Sequence, residues 1–133
     1  MHFIGEIAPE RIGAFLRGLD VFVFPTAAET FGLAAVEAAN AGVATVVSDL
    51  PVLREVLSYL GKPAALFVDV SDHAKFSAAV SRALEDEALR ETLRQNALGL
   101  RARYCVDTMV EEYVRILGDA ANDAGPARQA SPT

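Results

Sequence analysis

The sequence predicts an α/β fold: a parallel sheet of about four strands flanked by helices, followed by a helical C-terminal part. Three observations carry this. Strand-like and helical stretches alternate four times, the pattern of a parallel sheet with helices on its faces. The run Val21-Phe22-Val23-Phe24 is β-branched and aromatic without a polar break, as in a strand buried on both faces. After Ser71 only helical patterns follow.

Phe3-Ile4 is a very short apolar run ended by Gly5 and reads as a first strand. Pro9 suits the first turn of a helix, where its missing N–H costs little. Ile12, Phe15, Leu16 and Leu19 follow at i, i+3, i+4 and i+7, an amphipathic stripe. Val21–Phe24, between Asp20 and Pro25, is the strongest strand. A loop from Thr26 to Gly32 leads into an alanine-rich helix over Leu33–Ala41, stopped by Gly42. Thr45–Ser48 is a short buried strand, Pro51 opens a helix through Leu57, and Ala65–Val70 is a fourth strand.

In the second half, Ser71-Asp72 caps a helix with Phe76, Val80 and Leu84 on one face. Another helix runs through Leu89 and Leu93, with Glu91 and Arg94 paired at i, i+3. Thr108 and Glu111 form a capping box for a last helix. Its expected buried stripe is Met109, Val110, Tyr113, Val114 and Leu117. From Asp119 no large apolar residue remains, so residues 1–118 read as the domain and 119–133 as a disordered tail.

Composition narrows the function. The 133 residues fit one domain, and 52% hydrophobic with 23% charged residues excludes a mainly disordered chain. A net charge of −6 argues against nucleic acid as partner, because phosphate backbones need a basic surface. Cys105 is the single cysteine, so an internal disulfide is excluded and nothing indicates an oxidising compartment. No secretory-leader pattern or convincing membrane span is present: Gly32–Ser48, the most apolar window, is broken by Glu37, Asn40 and two glycines. His2 and His73 are isolated, no His/Cys/Asp cluster has metal-ligand spacing, and no P-loop or dinucleotide fingerprint occurs.

In open parallel sheets ligands bind at the carboxyl ends of the strands, so the loops after Ile4, Phe24, Val47 and Val68 matter most. The loop after Phe24 is the richest. Glu29 lies just before the helix, and Phe31, Gly32 and Leu33 offer backbone N–H groups at its start, where orphan donors and the macrodipole favour a diphosphate. Gly32 removes the side chain that would hold a phosphate away. Glu37 follows one turn into the helix. Two carboxylates flanking a phosphate site suit hydroxyl-rich groups, a sugar and a ribose, as hydrogen-bond acceptors. A plainer reading stands beside this: Glu29 as a first-turn carboxylate, Glu37 and Asn40 as a solvated stripe, and the alanines as close helix–sheet packing.

The stretch Glu29, Phe31, Gly32, Glu37, Ala38, Asn40, Gly42 resembles the donor-binding segment of the family 4 retaining glycosyltransferases, which have the GT-B fold. Their hallmark is E-x-F-G-(x)4-E-A-x-A-x-G; Asn40 stands here where Ala is usual. The flanks agree: Phe3-Ile4-Gly5-Glu6-Ile7, Asp20–Pro25, Thr45–Ser48 and Pro51-Val52-Leu53-Arg54-Glu55-Val56 are similar to the family's strands and turns, over about 115 residues in all. The resemblance implies a Rossmann-like sheet, the incomplete C-terminal half of a GT-B enzyme. It implies that Glu29 contacts and orients the donor sugar, as the catalytic residue. Phe31, Gly32 and Leu33 would approach sugar and diphosphate, Glu37 the nucleotide ribose, and Ile7 the nucleobase. A UDP- or GDP-sugar is the implied donor, a glycan or lipid-linked molecule the acceptor, and no cofactor or catalytic metal is expected. Localisation would be cytoplasmic, at most peripheral to the inner membrane face.

The resemblance also implies that the acceptor-holding N-terminal domain, and the family's Arg and Lys that grip the pyrophosphate, lie outside these residues. Two substrates must both be positioned for transfer, so the isolated chain is expected to bind a nucleotide sugar weakly and to transfer nothing. Missing strands would leave a sheet edge open to self-association. The alternative is a non-catalytic remnant acting as an interaction module. A receiver-like domain is set aside, because no acidic residue ends the Phe3-Ile4 or Val21–Phe24 strand and Asp49 has no acidic partners. Arg90, Arg94, Arg101 and Arg103 could face acidic lipids, but read better as a solvated face balancing Glu85, Glu87 and Glu91. Cys105, Tyr59, Tyr104 and Tyr113 read as packing residues.

Overall fold

A computed structural model describes residues 1–123. In chain order the elements are α1 (Pro9–Arg17), β1 (Val21–Phe24), α2 (Leu33–Asn40), β2 (Ala44–Ser48), α3 (Pro51–Val56), β3 (Ser58–Tyr59), β4 (Lys62–Pro63), β5 (Leu66–Val68), α4 (His73–Glu85), α5 (Glu87–Arg103) and α6 (Val106–Asp123). The chain divides into two units, one spanning Met1–Arg101 and a second beginning at Ala102.

In the first unit β1, β2 and β5 form a parallel sheet in the order β1-β2-β5, with Phe24 opposite Val47 and Ser48 opposite Val68. Every residue of β2 is buried, and both α2 and α4 pack on this strand. That double coverage explains why Val46 and Val47 read as a continuous apolar run. Leu53, Leu57 and Leu100 are the largest fully buried side chains among the described residues. Pro9 and Pro51 occupy helix starts as expected, and Asp72 caps α4 by accepting from the Lys75 N–H at 3.0 Å.

The sheet has three parallel strands where about four were expected. Phe3 and Ile4 carry no strand and are 89% and 61% exposed. Without a strand paired to it among the described residues, this short run gains no ladder bonds to offset the entropy of ordering it. A feature absent from the sequence reading is the antiparallel hairpin β3–β4, turned by Leu60 and Gly61 at φ +50° and +75°. Two successive positive φ values give the turn whose twist suits a tight hairpin.

Arg94, Arg101 and Arg103 of α5 are exposed, as a solvated face requires, and three of the arginines also hold backbone carbonyls. Arg94 Nε donates to the Gly42 carbonyl at 3.1 Å and Arg101 Nε to the Asn40 carbonyl at 2.7 Å. Arg90 Nη1 donates to the Ala83 carbonyl at 3.0 Å, and also to that of Leu84. These guanidiniums satisfy the carbonyls left over at the C-terminal ends of α2 and α4. The expected Glu91–Arg94 pair is present as well. Tyr59 packs closely on the helix surface at Gly99. Leu84, placed on one face of α4 with Phe76 and Val80, is 51% exposed, and Ala83 beside it is fully buried. The small residue faces the sheet, where the helix approaches closely.

In the second unit the last helix starts at Val106, ahead of the expected capping box. Thr108 lies inside the helix, its hydroxyl donating to the Ala102 carbonyl at 2.9 Å, while its N–H donates to Cys105 Sγ at 3.4 Å. Cys105, half-buried, therefore supplies the capping acceptor. The Cys105 thiol is pulled below its ordinary value by the hydroxyl and N–H of Thr108. Met109, Val110, Tyr113, Val114 and Leu117 share the predicted stripe but are exposed, Tyr113 at 62%. Periodicity reports an amphipathic helix, and among the described residues α6 is the one complete element of this unit. The helix continues through Asp123, into the stretch read as tail; residues 124–133 lie outside the described residues.

Candidate functional site

The site grows from the end of β1. Pro25 cannot donate to a ladder, so pairing with β2 stops at Phe24 and the chain leaves the sheet. Thr26 folds back on Phe24 through a 3.2 Å N–H···O bond, and its hydroxyl donates to the Ala28 carbonyl at 2.7 Å. Gly32 then takes φ +86° as the residue preceding α2, a left-handed conformation that favours glycine. A Cβ at this position would meet Leu53 Cδ2 at 2.6 Å and Glu29 Cγ at 3.5 Å. The missing side chain at Gly32 thus leaves room for Leu53 to pack against the turn.

Glu29 is half-buried beside Gly32. Its Oε1 accepts from the Thr30 N–H at 2.9 Å and, more weakly, from the Phe31 N–H at 3.5 Å. Of the three amides expected to be open at the helix start, that of Phe31 is thus turned to Glu29. Those of Gly32 and Leu33 have no acceptor among the described residues, and α2 has no side-chain cap. Leu33 itself is 66% exposed.

Glu37 projects from α2 into a cavity of about 310 Å³, shared with Gly5, Ile7, Phe22 and Ala34. The fold therefore brings together two sequence-predicted residues that are thirty positions apart, Ile7 and Glu37. Gly5, at φ +68°, lines the same cavity. Glu29 lies outside this cavity, near the N-terminal end of α2, so the two motif glutamates stand apart. Asn40, the departure from the usual motif, has a buried Oδ1 with no hydrogen-bond partner among the described residues, and its backbone carbonyl is held by Arg101. It is no part of a solvated stripe.

At the ends of β2 and β5, Arg54 embraces Asp49: Nη2 donates to Oδ2 at 2.8 Å and Nε to Oδ1. The guanidinium also sits 4.9 Å from the centre of the Phe67 ring. Hydrogen bonding from Arg54 holds the Asp49 carboxyl below the usual carboxylate range. Ser48, which carried no expectation, is buried and donates its hydroxyl to the Thr26 carbonyl at 2.6 Å. Among the described residues no group of three His, Cys, Asp or Glu side chains could hold a metal ion, and no helix is long and apolar enough to cross a membrane.

Known proteins are similar to this chain in sequence. The "D-inositol 3-phosphate glycosyltransferase" of Salinispora arenicola is 29% identical over 126 residues, 95% of this chain and 28% of the relative. The "Phosphatidyl-myo-inositol mannosyltransferase" of Mycolicibacterium smegmatis is 36% identical over 91 residues, 68% of this chain and 23% of its own length. The "N,N'-diacetylbacillosaminyl-diphospho-undecaprenol alpha-1,3-N-acetylgalactosaminyltransferase" of Campylobacter jejuni is 31% identical, over 87% of this chain and 30% of its own. The chain thus spans between about a quarter and a third of the length of these relatives. The family profile described as glycosyl transferases group 1 matches residues 1–99, through the loop, the helix start and both glutamates. With its parallel α/β sheet, its glycine turn and that match, the chain belongs to the group 1 glycosyl transferases.

Proposed function

We propose that these residues are the donor-binding part of a hexosyltransferase that moves a sugar from a nucleoside-diphosphate sugar to a glycan or lipid-linked acceptor with retention of configuration. The observation that carries the reading is the division of labour along α2. Glu37 and Ile7 share a cavity of a size for a nucleoside, and Glu29 stands by the open amides of Gly32 and Leu33 at the helix start.

In this reading the nucleobase lies against Ile7 and the ribose hydroxyls donate to Glu37. The diphosphate meets the amides of Gly32 and Leu33, where helix-end donors favour an anion without a metal. Glu29 exchanges its bonds to Thr30 and Phe31 for sugar hydroxyls and orients the donor, and the released Phe31 amide adds a donor for the phosphates. The acceptor is held by a partner N-terminal domain, in a cytoplasmic enzyme at most peripheral to the membrane. The isolated chain binds donor and transfers nothing, because one substrate alone is positioned.

Saturation-transfer NMR of the chain with UDP- and GDP-sugars tests this reading. Signal on ribose and base protons that Glu37→Ala abolishes is the expected result. No transfer to either nucleotide at millimolar concentration would overturn it, and robust turnover by the chain alone would overturn its inactivity.

β1 is an edge of the sheet among the described residues. Its free backbone groups favour self-association of the chain. Light scattering across a concentration series tests this, and a constant monomer mass would contradict it.

A further inference from the structure

We infer that Ser48 is a positioning residue for Glu29, acting through the loop that joins β1 to α2; this rests on the donor-site reading above. Ladder pairing between β1 and β2 ends at Phe24 and Val47, and the next residue on the β1 side, Pro25, has no N–H. At that point a side chain takes over from the backbone. Ser48 is 1% exposed, and its hydroxyl reaches past Pro25 to donate to the Thr26 carbonyl at 2.6 Å, with Phe24 O a distant second acceptor at 3.5 Å.

A buried hydroxyl is costly unless it is bonded. In β2, Thr45 spends its hydroxyl locally on the Val43 carbonyl, whereas Ser48 spends its own on a loop twenty-two positions away in sequence. The connection continues outward: Thr26 donates its hydroxyl to the Ala28 carbonyl, and Glu29 follows directly. A short chain of hydrogen bonds thus runs from the most buried strand to the residue before the candidate catalytic carboxylate. From the other side Leu53 closes on Gly32 and fixes the end of the same loop. Ser48 touches no ligand in this arrangement. It sets where Glu29 stands when the ligand arrives.

The test uses the full chain with Ser48→Ala, Ser48→Thr and Thr26→Ala. Backbone ¹⁵N order parameters are read at Ala28–Phe31 and at Val46 and Val47, and UDP-glucose and GDP-mannose are titrated by NMR. In Ser48→Ala the loop values should fall below about 0.6 while those of β2 stay near about 0.85. Kd for whichever nucleotide sugar the wild type binds should rise about tenfold, the worth of roughly one hydrogen bond. Ser48→Thr, which keeps the hydroxyl, should restore both. Unchanged loop values, or a loss spread equally over loop and β2, would overturn the inference. If Ser48→Ala does not fold, Ser48→Cys, close in volume but a weak donor, takes its place, and an unaltered loop would again overturn the inference; Thr26→Ala keeps the Thr26 carbonyl and reads the outer link to Ala28. If the wild type binds neither sugar, the donor reading fails, and the order parameters still decide the role of Ser48.

Discussion

Leu53 lies where a side chain at Gly32 would have to stand, its Cδ2 within 2.6 Å of the position a Cβ would take. Leu53 is fully buried, so it cannot step aside without opening the core. Gly32 is further held at φ +86°. Gly32→Ala should therefore destabilise the chain by about 2–4 kcal/mol, combining left-handed strain with overpacking. Adding Leu53→Val should relieve the overlap but not the strain. Denaturant melts of the two single variants and the double variant measure the coupling. Strictly additive losses would show that the contact does not matter.

Glycine to alanine should have opposite signs at two other helical positions. In a helix interior the change ordinarily gains about 1 kcal/mol. Gly118 in α6 has nothing within 4 Å of a new Cβ, so Gly118→Ala should raise helicity. At Gly99 a Cβ would lie 2.2 Å from Tyr59 Cδ1, so Gly99→Ala must displace the tyrosine and with it the β3–β4 hairpin. Gly99→Ala should lower the melting temperature despite its better propensity. Circular dichroism melts of both variants check the reversal.

Acid should loosen the chain in a defined window. Among the described residues three aspartates are held below their ordinary range: Asp49 by hydrogen bonding from Arg54, Asp69 by the Ser71 hydroxyl, and Asp72 by the Lys75 N–H. Carboxyls depressed on folding contribute stability that is present above their unfolded pKa, about 3.9, and is lost as pH falls through the lower folded values. The unfolding midpoint should be flat above about pH 6 and decline between about pH 5 and pH 2. Asp72→Asn, which can still cap α4, should flatten part of that decline. A midpoint independent of pH in that window would contradict the assignment.

Glu37 and Ile7 should fail together. Glu37→Ala is expected to raise the Kd of a UDP- or GDP-sugar about tenfold or more, through loss of charge-assisted bonds to ribose. Ile7→Ala should weaken binding by a similar order, and the free nucleoside diphosphate should suffer as much as the sugar-bearing ligand. Glu29→Gln should instead spare the nucleoside diphosphate and weaken only the nucleotide sugar. Competition titrations with both ligands separate the two patterns, and a Glu29 variant that weakens both equally would merge them.

What the sequence disclosed and what it withheld divide by the range of the interactions. The turn at Gly32, the helix start and the spacing of Glu29 from Glu37 are written locally, and each lies where the pattern put it. Proximity of Ile7 to Glu37 was reachable through the family resemblance, because it depends on the whole strand–helix crossover. Ser48 was invisible as a loop anchor, since nothing near it in sequence names Thr26 as its acceptor. The capping role of Arg94 and Arg101 was not legible beside their place on a solvated face, because their acceptors, the carbonyls of Gly42 and Asn40, are backbone groups that no composition shows. The stripe of α6 was legible as a stripe, but amphipathicity specifies a face and not what covers it. Thr108 and Glu111 matched a capping pattern at a point where Cys105 had already begun the helix.

The capping of α2 by Arg94 and Arg101 bears on how the site responds to a ligand. With Leu53 wedged at one end and two guanidiniums holding the other, α2 has little freedom to slide along its axis or roll. Arrival of a ligand then has few coordinates on which to act. The softest is rotation of the Glu29 side chain away from Thr30 and Phe31, followed by adjustment of the loop itself. Recognition on such a scaffold is a side-chain event against a fixed wall, and its spectroscopic footprint should be confined to a handful of amides.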